Sequence, residues 1–343
     1  MKQLLKPKKL IVRVGLALMV LAVVMFICSI VGSESVSLKS VFAGPGTPEK
    51  VNPDYDIFIR FRLPRIILAG LVGAALACAG VVFQVLLRNP LADPYILGIS
   101  SGAGLGVIIA VISGLNWTLW GRSPIAVFAF VGALGTVWLV WLIGRLTGRF
   151  HVTGLLLAGV VVNAFFSALM MFLTSVAKSD QVYATIFWLM GNVTEGDFLV
   201  LWIAAGCVIG GIVALFYISP QLNALSFGAD DAGSMGVNVA GTRTIAFGIA
   251  AAITAVAVSL SGLIGFVGLV VPHAIRLIFG PDHRQMLPLS GITGATFLVI
   301  ADTLARTIVA PAQLPVGVVT AIVGGPFFLI LLIKYSRRVS WSK

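Results

Sequence analysis

A chain of 343 residues that is 59% hydrophobic and only 10% charged has too few charges for a soluble domain, where about a quarter of residues are charged. Its formal net charge of +11 is scattered between apolar segments rather than gathered on one face, which excludes a nucleic-acid-binding surface. Cys28, Cys78 and Cys207 all lie in apolar spans without CxxC spacing, which excludes a disulfide framework, and the reading is an all-α integral membrane protein in contact with lipid.

The first segment sets Lys2, Lys6, Lys8, Lys9 and Arg13 before the uncharged run from Val14 to Gly32. That layout resembles a signal peptide, but the apolar core is too long for one, and an uncleaved first helix is expected. The next segment opens Arg62-Leu-Pro-Arg65, runs uncharged from Ile66 to Leu87, turns through Arg88 to Pro94, and re-enters an apolar stretch at Leu97-Gly-Ile-Ser-Ser-Gly-Ala-Gly104. About 20 uncharged residues let an α-helix cross roughly 30 Å of hydrocarbon with its backbone hydrogen bonds satisfied internally. The arginines and Asn89-Pro-Leu91 are therefore placed on opposite faces of a membrane. Further spans follow, giving about ten helices near 14–32, 66–87, 95–113, 123–144, 153–175, 198–218, 244–261, 265–279, 286–305 and 315–333. The uncharged run 244–275 is split at Gly262-Leu-Ile-Gly265. Residues 1–343 read as one transmembrane domain, with 219–243 its longest inner connection.

Ten helices put both termini on one side. With the termini inside, the inner segments hold fifteen Lys and Arg and the outer ones eight, and the acids leave +11 inside and zero outside. The positive-inside rule then gives N-in, C-in. Pro90-Leu-Ala-Asp-Pro-Tyr-Ile-Leu-Gly-Ile-Ser-Ser-Gly-Ala-Gly104 has a looser counterpart in 281–295, read as lying five helices on. An odd offset inverts one copy, so helices 2–5 and 7–10 are expected to form an inverted repeat, a common transporter plan.

Several residues stand out against this apolar background. Gly70, Gly73, Ala77 and Gly80 recur at helical spacing, as do Gly98, Gly102 and Gly106, which reads as close helix packing or as pore lining. Arg62 and Arg65 lie on the outer side, where few arginines are expected, and read either as snorkelling to headgroups or as docking an acidic soluble partner. Arg306 is a third candidate for that surface, although Asp302 four residues earlier can take part of its charge. In 219–243, Leu222, Leu225, Ser226, Phe227, Ala232, Met235 and Gly236 form a short amphipathic pattern broken by Gly228 and Gly233, read as a docking surface for a cytoplasmic subunit or as an ordinary loop. No GxxxxGK[ST] is present, so no P-loop hydrolyses ATP here. His151, His273 and His283 have no metal spacing, no catalytic constellation is visible, and no metal or cofactor is expected on the chain. Asp302 is the one acid well inside an apolar stretch and would be the coupling residue of an ion-driven carrier, the rival reading.

Arg62-Leu-Pro-Arg65, Asn89-Pro-Leu-Ala-Asp-Pro94, Leu97 to Gly104, Leu155-Leu-Leu-Ala-Gly159, Gly265-Phe-Val-Gly-Leu-Val-Val-Pro-His273, Asp282-His-Arg284 and Leu314-Pro-Val-Gly-Val-Val-Thr320 together resemble the FecCD family. These are permeases of ABC importers for iron–siderophores, haem and cobalamin. The resemblance implies a ten-helix subunit of a prokaryotic cytoplasmic membrane, paired with a second copy or a paralogue. It also implies two ABC ATPase subunits that hold ATP and Mg, and an extracytoplasmic substrate-binding protein. By the family pattern, Arg62, Arg65 and Arg306 match the binding-protein docking positions. Asn89 and Leu91 match one cytoplasmic gate, and Val152 and Thr153 the other. Leu225, Ser226, Phe227, Gly228, Asp230, Asp231, Ala232, Met235 and Gly236 match the ATPase-coupling helices. Val152 departs from the cobalamin-transporting members, which carry two hydroxyl residues there, and Gly233 stands where relatives often have a basic residue. Iron(III)–siderophore is the first expected cargo, with cobalamin and haem next.

Overall fold

The computed structural model describes residues 7–32, 34–46, 52–115, 123–146, 152–193 and 198–340, except for the side chains of 152–153 and 331–340. Every predicted span is a helix: α1 (Pro7–Ile30), α2 (Leu63–Leu86), α3 (Ile99–Ile112), α4 (Pro124–Leu146), α5 (Val152–Val176), α6 (Phe198–Tyr217), α7 (Val239–Ser261), α8 (Val267–Phe279), α9 (His283–Thr307) and α10 (Val316–Ser340). Seven of these are long and apolar enough to cross a membrane, and α3, α8 and α10 supply shorter apolar helices. An eleven-residue helix, Ser179–Leu189, lies between α5 and α6 and has no counterpart among the predicted spans. In the orientation that the charge tally predicts, Arg62 and Arg65 mark the outer end of α2 and Asn89 follows its inner end.

The protein is organised around α2. Asn52 caps the approach to it by accepting the Tyr55 N–H, and its amide donates to the carbonyls of Ser40 at 2.7 Å and Gly44 at 2.9 Å. A π turn, Ile57–Arg62, then feeds the helix, and almost every residue from Pro64 to Leu86 is buried. Its small-residue stripe is used for packing. A Cβ on Gly73 would overlap the Gly294 carbonyl of α9, and one on Gly80 the Gly268 carbonyl of α8. Gly102 and Gly106 of α3 meet α4 in the same way at Gly132 and Phe128. Close backbone approach is how helices associate where lipid removes the hydrophobic drive.

The two shortest spanning helices share a device. α3 follows a 3-10 turn, Pro94–Leu97, and starts at Gly98 with φ 78°; α8 follows the predicted break and starts at Phe266 with φ 68°. The breaks meet inside the bundle, where the Tyr95 hydroxyl accepts the Ile264 N–H at 3.1 Å and lies 3.2 Å from the Ile264 carbonyl. Non-helical backbone at membrane depth is tolerated only when protein covers and satisfies it in this manner.

The repeat requires one correction. The sequence echo at 281–295 opens α9, six helices after α3 in the ten-helix order, so the two segments run in the same direction and are not an inverted pair. The fivefold offset pairs α3 with α8 instead, the two helices entered through left-handed residues. Packing follows that pairing: α2 lies on α9 as α7 lies on α4, and α2 and α7 pack on each other.

Candidate functional site

Two polar regions lie at opposite ends of α2. At the outer end, the side chains expected on an exposed docking surface are inside the protein: Arg62, Arg65 and Arg306 are 6%, 6% and 7% exposed. Asp302 explains two of them. Arg65 reaches it from α2 with Nη2 at 2.9 Å from Oδ1 and Nε at 3.1 and 3.2 Å from the two oxygens, while Arg306 places Nε at 3.1 Å from Oδ2. Helical spacing predicts the Asp302–Arg306 pair. The contact with Arg65 crosses 237 residues of sequence and has no local signal. Gln313 accepts from Arg65 at 3.1 Å, and Asn192 lies at the 3.5 Å limit. Arg62 turns the other way and donates to backbone carbonyls at the end of α1, Ser29 at 3.2 Å and Ile30 at 2.7 Å, and to that of Glu34. Neither snorkelling nor surface display describes these residues. They staple α1, α2, α9 and two outer connections together.

At the inner end, α2 stops in a Schellman-like turn. Arg88 takes φ 48°, and the Asn89 N–H reaches back to the Gln84 carbonyl at 3.1 Å. Asn89 then accepts the Leu91 N–H at 2.9 Å, the Asx geometry that makes Asn a turn former. These two gate candidates thus form a tight exposed turn, with Leu91 37% exposed. Of the other pair, Val152 and Thr153 open α5, and their side chains lie outside the described residues.

Beside this turn is a cavity of about 570 Å³, lined by Gln84 and Arg88, Leu91, Ser226 and Phe227, His273 and Arg276, His283 and Phe328. Gln84, the one polar residue deep in the inner half of α2, accepts from Arg276 Nη2 at 2.7 Å. Asn223 holds the far wall, accepting the His283 N–H at 2.8 Å while its own amide donates to Asp282 at 2.8 Å. Sequence reasoning missed Gln84, Asn223 and Arg276; the signal available was a polar side chain interrupting an apolar helix face.

The connection between α6 and α7 folds into two short helices, Ser219–Phe227 and Ala229–Ser234, hinged at Gly228 with φ 147°. Leu225 and Ala232 are buried, fixing the pair to the bundle, while Ser226, Asp230, Asp231 and Gly236 are exposed and Phe227 and Met235 are 71% and 61% exposed. Phe227 and Met235 thus form an exposed apolar pair beside the Asp230 and Asp231 carboxylates.

The comparisons with known proteins agree with this layout. The FecCD transport family model matches residues 20–334. The chain belongs to the FecCD transport family. Among curated FecCD relatives, a hemin transport permease of Yersinia pestis, HmuU, is 40% identical over 83% of this chain and 86% of its own. A cobalamin import permease of Halobacterium salinarum, BtuC, is 41% identical over 86% of this chain and 78% of its own. An iron chelatin transport permease of Helicobacter pylori is 38% identical over 94% and 97%. Among solved structures, an inward-facing metal-chelate type ABC transporter superposes with a TM-score of 0.83 at 29% identity, covering 96% of this chain and all of that one. The chain is thus a FecCD ABC transporter permease, a multi-pass protein of the cytoplasmic membrane.

Proposed function

We propose that this FecCD permease is the membrane subunit of an ATP-driven importer for a metal chelate, with iron(III)–siderophore first and cobalamin or haem next. The observation that carries the reading is the near full-length match to permeases named for haem, cobalamin and iron chelatin transport, on a fold shared with a metal-chelate transporter. No one cargo is favoured by identity, and siderophore stands first only as the commonest family cargo. Two ATPase subunits, carrying ATP and Mg, engage Phe227, Met235 and the Asp230–Asp231 pair. A second permease copy or paralogue completes the path, and the gates are Asn89 and Leu91 with Val152 and Thr153. A binding protein seats on the outer face, where Arg62, Arg65 and Arg306 shape the surface from beneath.

ATP binding and hydrolysis must bias the inward-open and outward-open states differently, or no pumping occurs. The rival, an ion-coupled carrier using Asp302, is disfavoured because both oxygens of that carboxylate are already held by arginines. The test is reconstitution with the neighbouring ATPase and binding protein in liposomes, presented with ferric siderophores, haem and cobalamin in turn. Stimulated ATP hydrolysis with vesicle uptake of one cargo supports the proposal and names the substrate. An ATPase that neither co-purifies nor responds to any of them overturns it.

A further inference from the structure

α1 and α6 each pack on α9 and leave a trough of about 550 Å³ between them. Ile11, Gly15 and Leu18 of α1 stand on one wall, Val213 and Phe216 of α6 on the other, and Pro288 of α9 lies at the floor; the whole lining is apolar. These are the inner ends of all three helices, so the trough opens at the depth of the inner leaflet. Gly15 keeps it open, since a Cβ built there would meet nothing within 4 Å.

Its width decides what can enter. The trough follows α1 from Leu10 to Leu18, about 12 Å at 1.5 Å per residue, so its cross-section averages roughly 45 Å². A helix about 10–12 Å across needs about twice that area. A hydrocarbon chain fits and a further transmembrane helix does not. The inner mouth is cationic. Lys8 lies one turn before Ile11 and Arg284 one turn before Pro288, spacings that set each cation on the ridge of a lining residue. Both are exposed, and neither joins an ion pair among the described residues. The acid next to them, Asp282, has its Oδ1 taken by the Asn223 amide and the Arg284 N–H. Tyr217, 76% exposed beside Phe216, marks the headgroup level at this mouth. The sequence adds Lys2, Lys6 and Lys9 before the same helix, with no acid ahead of Glu34. A basic segment flanking a span on its inner side attracts anionic lipid.

We propose that the trough between α1 and α6 binds one anionic phospholipid of the inner leaflet, with an acyl chain against Gly15 and Val213 and the phosphate between Lys8 and Arg284. The apolar walls take the tail of any phospholipid, and the cations add a preference for a headgroup with net negative charge. An occupant lies on α1, α6 and α9 at once, and so bridges the first helix to the one that leads into the inner connection. The inference rests on the membrane placement of the chain and the inner position of its N-terminus, and is independent of the importer reading and its cargo.

The experiment takes the full chain, delipidated in detergent, titrates it with dioleoylphosphatidylglycerol or dioleoylphosphatidylcholine, and counts bound lipid by native mass spectrometry. The unaltered protein should bind one phosphatidylglycerol about tenfold or more tighter than phosphatidylcholine, and Lys8→Gln or Arg284→Gln should each weaken it about fivefold. Gly15→Leu, at a position where a Cβ meets nothing within 4 Å, should lose that lipid, as should Val213→Trp from the opposite wall. Gly135→Leu on α4, a position equally open, should bind as the unaltered protein does. Glycerol phosphate, the headgroup without its chains, should not compete. Equal affinity for the two lipids, retention of the lipid by both trough variants, or displacement by glycerol phosphate would each overturn the proposal. So would trough variants that turn a dimer into a monomer with lipid uptake unchanged, the mark of a second copy as the occupant.

Discussion

Replacing Asp302 by Asn tests what the outer cluster is for. Asp302 has no exposed surface and accepts four hydrogen bonds of 2.9 to 3.2 Å from Arg65 and Arg306. The triad carries one net positive charge, so removing either arginine leaves a neutral pair, whereas removing the carboxylate charge leaves two buried cations side by side. Breaking a buried pair by deleting one partner costs about 3–5 kcal/mol. Asp302→Asn should sit at the top of that range and Arg306→Gln below it, since Arg65 alone can still neutralise the acid. Converted at about 2 °C per kcal/mol for a chain of this size, Asp302→Asn should lower the unfolding midpoint by roughly 10 °C. The double variant with Arg306→Gln should recover part of the loss, because it removes one stranded cation. The assay is thermal unfolding in detergent beside ATP-driven uptake in liposomes. A stable Asp302→Asn protein that has lost transport would refute the structural reading and restore Asp302 as an ion-coupling residue.

Three further outcomes are expected. Gly80→Ala should destabilise the bundle by about 1–3 kcal/mol, because its Cβ overlaps the Gly268 carbonyl, whereas Gly206→Ala, with nothing within 4 Å, should be neutral by the same unfolding assay. Burial pushes the Asp93 carboxyl up to about 6, against the lowering effect of the Tyr95 N–H that it accepts. With the folded value above the ordinary 3.8, the charged form is the disfavoured one, and stability falls as pH rises between about 4 and 6. Asp93→Asn should remove that slope and unfold at a higher temperature than the native chain at pH 7.5, and an unchanged slope would refute the assignment. Phe227→Ala, which truncates a 71% exposed ring, should leave the unfolding midpoint unchanged while reducing recovery of the ATPase subunit in co-purification.

What the sequence disclosed was set by range. Spans of twenty apolar residues announce themselves, and Gly262 to Gly265 marked the break before α8 because glycine at that spacing cannot continue an uncharged helix cheaply. The packing of the glycine stripes and the pairing of Asp302 with Arg306 were legible for the same local reason. Arg62 and Arg65 were misplaced because surface display and burial give the same local pattern, an arginine pair before an apolar run. Only the fold brings Asp302 to one and the α1 carbonyls to the other. Ser179–Leu189 escaped notice because Lys178, Asp180 and Gln181 make its start read as a loop, while its apolar residues are too few for a span.

The distribution of close contacts constrains which parts can move if the chain alternates between two states. α2 touches α8 and α9 through backbone at Gly80–Gly268 and Gly73–Gly294, and the Asp302 triad ties α2 to α9 again at the outer end. Sliding any of these past another would drive backbone atoms together, so the three are bound to shift as one body. α5 is different: few of its residues are buried against the rest of the chain, and Leu157, Val160, Val161, Phe165, Met171 and Phe172 stand exposed. Elements with few buried contacts are those that move at low cost. The inner cavity lies where the rigid body, at Gln84, Arg276 and His283, meets the hinged connection at Phe227. A motion delivered to that connection therefore enters the bundle at the base of α2, where it meets the part that shifts as one body.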